Sequence, residues 1–143
     1  MFKTLAFAAT ALTLAAGSAF AAASDDARTH FQAIASGDTQ IVMRAYADPA
    51  QLNWVGGPLD GTYATADAIR ATWDKFGKAV GPLKLSLGQI EESANPKGAT
   101  VSANVVFEGK TPIKVRYVLT FRDGKIVNET WQIDPKLVLA AAY

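Results

Sequence analysis

Apolar residues recur at helical spacing in the first part of the chain. One stripe is spaced i, i+3, i+4 and i+7 and consists of Ala27, His30, Phe31 and Ile34. Ser24 and Asp25 are candidate caps at the start of this segment, and Gly37 would end it. The pattern predicts a helix over residues 26–36 whose stripe faces the rest of the domain.

Two further helices are predicted downstream. Asp38 caps the second, which covers residues 39–46, and Thr65 or Asp67 caps the third, which continues to Phe76. The third helix carries its large apolar residues on one side, so it is expected to pack on the same core as the first.

The second half of the chain alternates apolar and polar residues, which is typical of β-strands with one buried face. Turn residues divide this half into four long strands, predicted over residues 83–93, 99–108, 113–122 and 126–134. Two shorter extended pieces precede them, at residues 51–54 and 59–63. Helices followed by strands indicate an α+β domain, with three helices packed on an antiparallel sheet of four long strands plus short ones.

The last hairpin decides which side of the final strand faces the helices. A two-residue loop at Asp123–Gly124 would place Trp131 on a face of lysines and arginines. A three-residue loop, with Gly124 as the left-handed residue of a bulge, pairs Phe121 with Lys125 and turns Trp131 toward the core. We favour the second loop because it buries Trp131.

That register places carboxylates on an otherwise apolar face. The two rows that it predicts across the sheet are Glu91–Ala103–Tyr117–Glu129 and Gln89–Val105–Val115–Trp131. A buried carboxylate without a partner is costly, so the region around Glu129 is expected to be a water-filled cavity or a functional site. The alternative is structural: Glu91 lies at the solvent rim, and Glu129 pairs with an arginine or accepts a hydrogen bond from Tyr117.

The beginning of the chain has the features of a signal peptide. Lys3 precedes an apolar run over residues 5–16, and Ala19 and Ala21 supply the small residues that signal peptidase reads. We therefore expect residues 1–21 to be removed and residues 22–143 to form a single domain. The expected location is the periplasm or the medium, with no membrane attachment after cleavage.

Composition narrows the chemistry that this domain can perform. The 143 residues carry a formal net charge of +1, which argues against a strongly basic nucleic-acid-binding protein. The chain has no cysteine and one histidine, which excludes disulfides, thiolate sites and multi-histidine metal centres. No metal and no cofactor is predicted.

Three short motifs, taken in order, resemble a known superfamily. They are Ala35-Ser36-Gly37-Asp38, then Gly61-Thr62-Tyr63 followed by Trp73, then Phe121-Arg122-Asp123-Gly124-Lys125-Ile126. Over about residues 25–134 the chain resembles the nuclear-transport-factor-2-like superfamily and, within it, the SnoaL-like group. The resemblance implies a curved sheet wrapped around three helices, forming a cone with an internal pocket. It also implies a homodimer through the outer sheet face, which would carry residues 118, 120, 126, 128, 130 and 132.

The resemblance leaves the activity open, since this superfamily hosts isomerases, cyclases, dehydratases, hydrolases and non-catalytic modules. The helix tyrosine of its ketosteroid isomerases aligns near His30, and their basic aspartate aligns near Trp54. Their second acid aligns near Tyr117 or Val118. Neither aspartate is present, which argues against that mechanism unless Glu129 is a relocated base.

Two sets of candidate site residues follow. His30, Glu129 and Tyr117 are candidates for proton transfer. The candidates for binding a ligand are Trp54, Tyr46, Glu91 and Trp131. Three functions remain open: an exported domain that binds a small apolar ligand, an isomerase, cyclase or dehydratase, and a non-catalytic dimeric interaction module. We favour the first, because aromatic residues suited to a pocket wall are present while the isomerase acids are missing.

Overall fold

The computed structural model describes residues 22–139. Its helices are α1 (Ala23–Ser36), α2 (Thr39–Arg44) and α3 (Ala66–Val80), and its strands are β1 (Tyr46–Val55), β2 (Gly61–Tyr63), β3 (Lys84–Asn95), β4 (Gly98–Glu108), β5 (Ile113–Arg122) and β6 (Lys125–Ile133). The signal peptide expected over residues 1–21 lies outside the described residues. No helix within residues 22–139 combines the length and the apolar character needed to cross a membrane.

The strands form one six-stranded sheet in the order β2-β1-β6-β5-β4-β3, and the three helices pack on it. This confirms the predicted α+β class. All neighbouring strands are antiparallel except β1 and β6, which are parallel, so the sheet is mixed. A parallel pair needs a long crossover, and here everything from β2 to β5 lies between the two strands. Alternation of apolar and polar residues within a strand does not indicate such a distant partner, so the parallel pairing of β1 with β6 was not predicted.

Strand β1 is longer than predicted because helix α2 ends early. The helix stops at Arg44, and Ile126 donates a backbone hydrogen bond to the carbonyl of Ala45, which brings the chain onto β6. Tyr46 therefore begins β1 instead of ending α2. The ladder with β6 is interrupted between Tyr46 and Gln51, where Pro49 lacks the N–H that a regular ladder needs.

The last hairpin turns Trp131 toward the core as predicted, but with a different loop from the predicted one. Its loop has two residues, Asp123 and Gly124, both with positive φ, so the predicted three-residue loop was wrong. A bulge then follows: Phe121 pairs with Ile126, and Val127 is the extra residue of β6. Ile126, expected on the outer face, is consequently buried. Beyond the bulge, Glu129 and Trp131 face the core as predicted.

The predicted rows across the sheet are wrong on β6 and on β3. Tyr117 pairs with Ala103 as predicted, but its partner on β6 is Trp131 instead of Glu129. On β3, a second irregularity between Leu87 and Ile90 shifts the register. Glu91 is therefore exposed on the outer face, bonded to Gln89, and the prediction that it faces the core was wrong.

Local signals account for some of the helix ends but not for the start of α1. The predicted stripe of α1 is buried, but the helix starts at Ala23 without a side-chain cap, so the predicted caps at Ser24 and Asp25 were wrong. Ser24 instead donates its backbone N–H to Glu92 near the end of β3. Thr65, one of the two predicted caps, accepts a hydrogen bond from the Ala68 amide at 3.1 Å. Helix α3 continues through Gly77 to Val80.

The described part of the C-terminal segment packs on its own sheet. Leu137 is buried. The side chain of Leu139 packs so closely against Gly88 that a Cβ added to this glycine would lie only 2.7 Å from it. Asn104, on the outer face of β4, borders the same position. Leu139 therefore covers the outer face at Gly88 and leaves Glu91 on β3 and Val118 on β5 exposed.

Candidate functional site

His30 and Glu129 form a hydrogen-bonded pair inside the domain. The two residues are 99 positions apart in sequence, yet Nε2 of His30 lies 2.6 Å from Oε2 of Glu129. An ionised carboxylate only accepts, so this bond takes its hydrogen from Nε2 in the tautomer that suits a charged Glu129. Both side chains have no solvent exposure. Helix α1 turns His30 toward the sheet, and the β6 bulge turns Glu129 toward the helix.

The second oxygen of this carboxylate is also bonded. The Tyr46 hydroxyl donates to Glu129 Oε1 at 2.8 Å and accepts from Trp73 Nε1 at 2.8 Å. We call His30, Tyr46, Trp73 and Glu129 the Glu129 network. It links α1, β1, α3 and β6 through one buried carboxylate, and its hydrogen bonds offset the cost of removing that group from water.

Sequence reasoning placed Tyr46 on a pocket wall and Trp73 in the core, and it missed the hydrogen bonds that join them. Tyr46 was assigned to the end of a helix, which hid its position opposite the start of β6. The signal available in the sequence was a carboxylate forced inward, which requires donors from somewhere in the core.

Burial and the nearby carboxylate keep both interior phenols protonated. Burial, then the negative charge of Glu129, then the hydrogen bond to it raise the pKa of Tyr46 well above its ordinary value of 10.0. The pKa of Tyr117 is also raised well above 10.0, by burial first and then by Glu129 and Tyr46. Tyr46 therefore acts as a donor over the whole physiological pH range.

Tyr117 is close to the network without belonging to it. It is completely buried, and its hydroxyl has no hydrogen-bond partner among residues 22–139. The suggested Tyr117–Glu129 hydrogen bond is not formed, because the β6 bulge sets Glu129 opposite Leu119. His30 Nδ1 and Trp131 Nε1 are likewise buried without a partner in the described part of the chain.

A large pocket opens at one end of the domain. Its volume is about 630 Å³, within the range of about 300–1,000 Å³ that is usual for ligand sites. Apolar side chains from β1, the β1–β2 loop, α3 and β6 dominate its wall, among them Trp54, Leu59, Phe76, Val80, Trp131 and Ile133. Of the four predicted binding residues, Trp54 and Trp131 line this pocket, whereas Tyr46 and Glu91 do not.

Stacked aromatic rings lie between the pocket and the Glu129 network. The Trp131 ring stacks on Trp54 at 4.4 Å between centroids and on Phe107 at 5.3 Å. Trp73, which belongs to the network, contacts both indoles edge-on or tilted, at 5.2 and 5.5 Å. None of the four network residues lines the pocket. A molecule in the pocket would therefore meet aromatic and aliphatic side chains, and the carboxylate would remain behind them.

A smaller cavity touches the other side of His30. It has a volume of about 200 Å³, and Asp26, Arg44 and Lys125 border it. This is below the usual size of a small-molecule site. Burial and the neighbouring Asp25 raise the pKa of Asp26, while Lys125 lowers it. Residues 22–139 contain no group of three or more His, Cys, Asp and Glu side chains placed to hold a metal ion.

Comparison with protein families agrees with this architecture. A family model described as the SnoaL-like domain matches residues 27–129. The chain belongs to the SnoaL-like family. The match runs from Ala27 within α1 to Glu129 and includes every residue of the Glu129 network. Comparison with the curated proteins finds no match.

Solved structures, among them proteins described as nuclear-transport-factor-2-like, share the fold of this SnoaL-like domain. A nuclear-transport-factor-2-like protein of unknown function from Pseudomonas putida aligns with a TM-score of 0.66 and 17% identity, covering 84% of this chain and 93% of the other. A candidate polyketide cyclase from Sinorhizobium meliloti aligns with a TM-score of 0.52 and 22% identity, covering 76% and 94%. A de novo designed protein with a curved β-sheet gives 0.63 and 16%, covering 80% and 86%. At these low identities the alignments show a shared fold, and together with the family match they confirm the resemblance found in the sequence.

Proposed function

We propose that the SnoaL-like domain binds a small, largely apolar molecule in its aromatic-lined pocket. The observation that carries this proposal is the pocket of about 630 Å³ whose wall is formed mainly by aromatic and aliphatic side chains. Leu59, Val80 and Ile133 are partly exposed at this wall, so an apolar body can cover them, with the rings of Trp54 and Trp131 packed directly behind.

The Glu129 network serves the fold in this proposal. A group that transfers protons must come within hydrogen-bonding distance of the reacting atom, directly or through one water. Both oxygens of Glu129 are already engaged, and its side chain is fully buried behind Trp131 and Trp73. The network instead connects the two long helices to the centre of the sheet.

The alternative is an enzyme of the isomerase, cyclase or dehydratase kind. This alternative is favoured by three buried polar atoms that have no hydrogen-bond partner among the described residues and lie close to a buried carboxylate. They are the Tyr117 hydroxyl, His30 Nδ1 and Trp131 Nε1. Such environments are frequent in active sites. This function requires the aromatic layer to open so that a substrate reaches Glu129.

A matched pair of helix substitutions tests ligand binding. Ala79→Trp on α3 places an indole at the pocket wall, whereas Ala71→Trp adds the same group to an exposed position outside the pocket. We expect the neutral fluorescent probe N-phenyl-1-naphthylamine to bind the wild type and Ala71→Trp equally. Ala79→Trp should weaken binding about tenfold, as expected when bulk is forced into an occupied site. Failure of the wild type to bind, or equal binding by both variants, would contradict the proposal.

We also propose that the domain is exported and forms a homodimer through the outer sheet face. The exposed Val118 and the polar residues around it on β5 and β6 form a mild surface suited to a second copy. Val118→Lys should convert a dimer into a monomer in light scattering, with the fold unchanged by circular dichroism. N-terminal sequencing of protein from the periplasm or medium should start at Ala22. A monomeric wild type, or a retained Met1, would contradict these two proposals separately.

A further inference from the structure

The charged residues of the pocket all have the same sign. Lys75 on α3 and Lys114 on β5 line it together with the apolar wall, and no Asp or Glu among residues 22–139 does so. Both lysine side chains are partly or fully exposed, so their flexible stems allow each ammonium group to reach an anion at the edge of the pocket. We propose that the ligand of this pocket is an amphipathic acid, an apolar body with one anionic group that these lysines hold. This inference rests on the proposed binding function.

Both lysines are free to bind a ligand within the described part of the chain. Neither forms an ion pair there. Asp60 on the β1–β2 loop accepts the Gly56 amide at 2.7 Å, and Asp134 lies 3.8 Å from Arg116. Both ammonium groups are therefore without a direct carboxylate partner among residues 22–139.

The backbone around the pocket offers few alternative donors for an anion. Pro58, Pro112 and Pro135 belong to its lining, and proline has no N–H. The amide of Gly56, another lining residue, is already bonded to Asp60. An anionic group at this wall would therefore rely on the lysine side chains. Lysine ammonium groups act as flexible point charges, so they accept a carboxylate, a sulfonate or a phosphate alike.

Two probes that share one aromatic skeleton test this inference. N-phenyl-1-naphthylamine is neutral, and 8-anilino-1-naphthalenesulfonate carries one sulfonate on the same framework. Lys75→Gln and Lys114→Gln should each weaken binding of the sulfonate about three- to fivefold, the range expected for one solvent-exposed ion pair. Binding of the neutral probe should change less than about twofold. Lys78→Gln, on the exposed side of α3 and outside the pocket, is the matched control and should alter neither affinity.

Salt gives an independent readout. Raising the ionic strength from about 0.05 to about 0.5 M should weaken binding of the sulfonate and leave the neutral probe unaffected, because only the former is held by screened charges. Equal losses for both probes in the lysine variants, or no loss beyond that of Lys78→Gln, would overturn the inference while leaving the proposed function intact. Failure of the neutral probe to bind the wild type would overturn the proposed function itself.

Discussion

Three Tyr→Phe substitutions remove the same atom from three different environments and so measure what the Glu129 network contributes. In Tyr46→Phe, the carboxylate loses a donor at 2.8 Å and Trp73 loses its acceptor at 2.8 Å. A hydrogen bond to a charged group contributes about 1.5–3 kcal/mol, and a buried N–H without an acceptor costs about 1 kcal/mol or more. Because both losses come from one hydroxyl and need not add in full, we expect a decrease of about 2–4 kcal/mol in the free energy of unfolding.

Tyr63 and Tyr117 provide the comparison. The Tyr63 hydroxyl donates to one neutral carbonyl, that of Leu59, so Tyr63→Phe should cost about 0.5–1.5 kcal/mol. The Tyr117 hydroxyl is buried without a partner among the described residues, so Tyr117→Phe should be neutral or stabilise by about 1 kcal/mol.

Urea unfolding followed by tryptophan fluorescence and circular dichroism measures all three values, provided that the dependence on urea concentration stays constant. The order Tyr46, Tyr63, Tyr117 is the result that matters, because all three substitutions delete one oxygen atom. If Tyr117→Phe were as destabilising as Tyr46→Phe, the hydrogen bonds described for the network would not be what stabilises it.

Three further outcomes follow from the same interactions. The pKa values of Tyr46 and Tyr117 are raised in the folded protein. The free energy of unfolding is therefore highest below the unfolded pKa of about 10 and falls as the pH rises above it, by about 1.4 kcal/mol per pH unit for each tyrosine. Chemical unfolding measured between about pH 9 and 11 should show a shallower fall for Tyr117→Phe than for the wild type. Glu129→Gln presents an amide donor to a site lined by donors and should lower the free energy of unfolding by about 2–4 kcal/mol, while Glu91→Gln on the outer face should change it by less than about 0.5 kcal/mol. Leu137→Ala should cost about 2–3 kcal/mol in the same assay if the C-terminal segment packs as described, and a loss under about 0.5 kcal/mol would show that it does not.

Most helices and strands could be predicted from the sequence because each is indicated by a pattern of residues close together in the chain. The stripe containing His30, the cap at Thr65 and the alternation of β5 each reflect one element's own geometry. Burial of Trp131 imposed a further condition on β6. The predicted loop was one residue too long, but the bulge at Val127 restores the predicted facing of the residues beyond it. Glu129 therefore faces inward, as the burial of Trp131 required.

The contacts of the site depend on single-residue shifts that local patterns do not reveal. The bulge after Leu87 moved Glu91 to the outer face, and the bulge of β6 moved Glu129 from Tyr117 to Leu119. A glycine inside a strand, here Gly88, is the available sequence signal for such a bulge. The role of Tyr46 required knowing that β1 pairs with β6, a partner some eighty residues away.

The central claim is that ligands bind on the pocket side of the aromatic layer, away from Glu129. The chain has three tryptophans, so its indole N–H groups give three resolvable signals in nitrogen–proton NMR spectra. Trp54 and Trp131 line the pocket, and the N–H of Trp73 is bonded to Tyr46 on the network side. Titration with N-phenyl-1-naphthylamine should shift the signals of Trp54 and Trp131 most and that of Trp73 least. The largest shift at Trp73, or no shift at Trp54 and Trp131, would contradict the account.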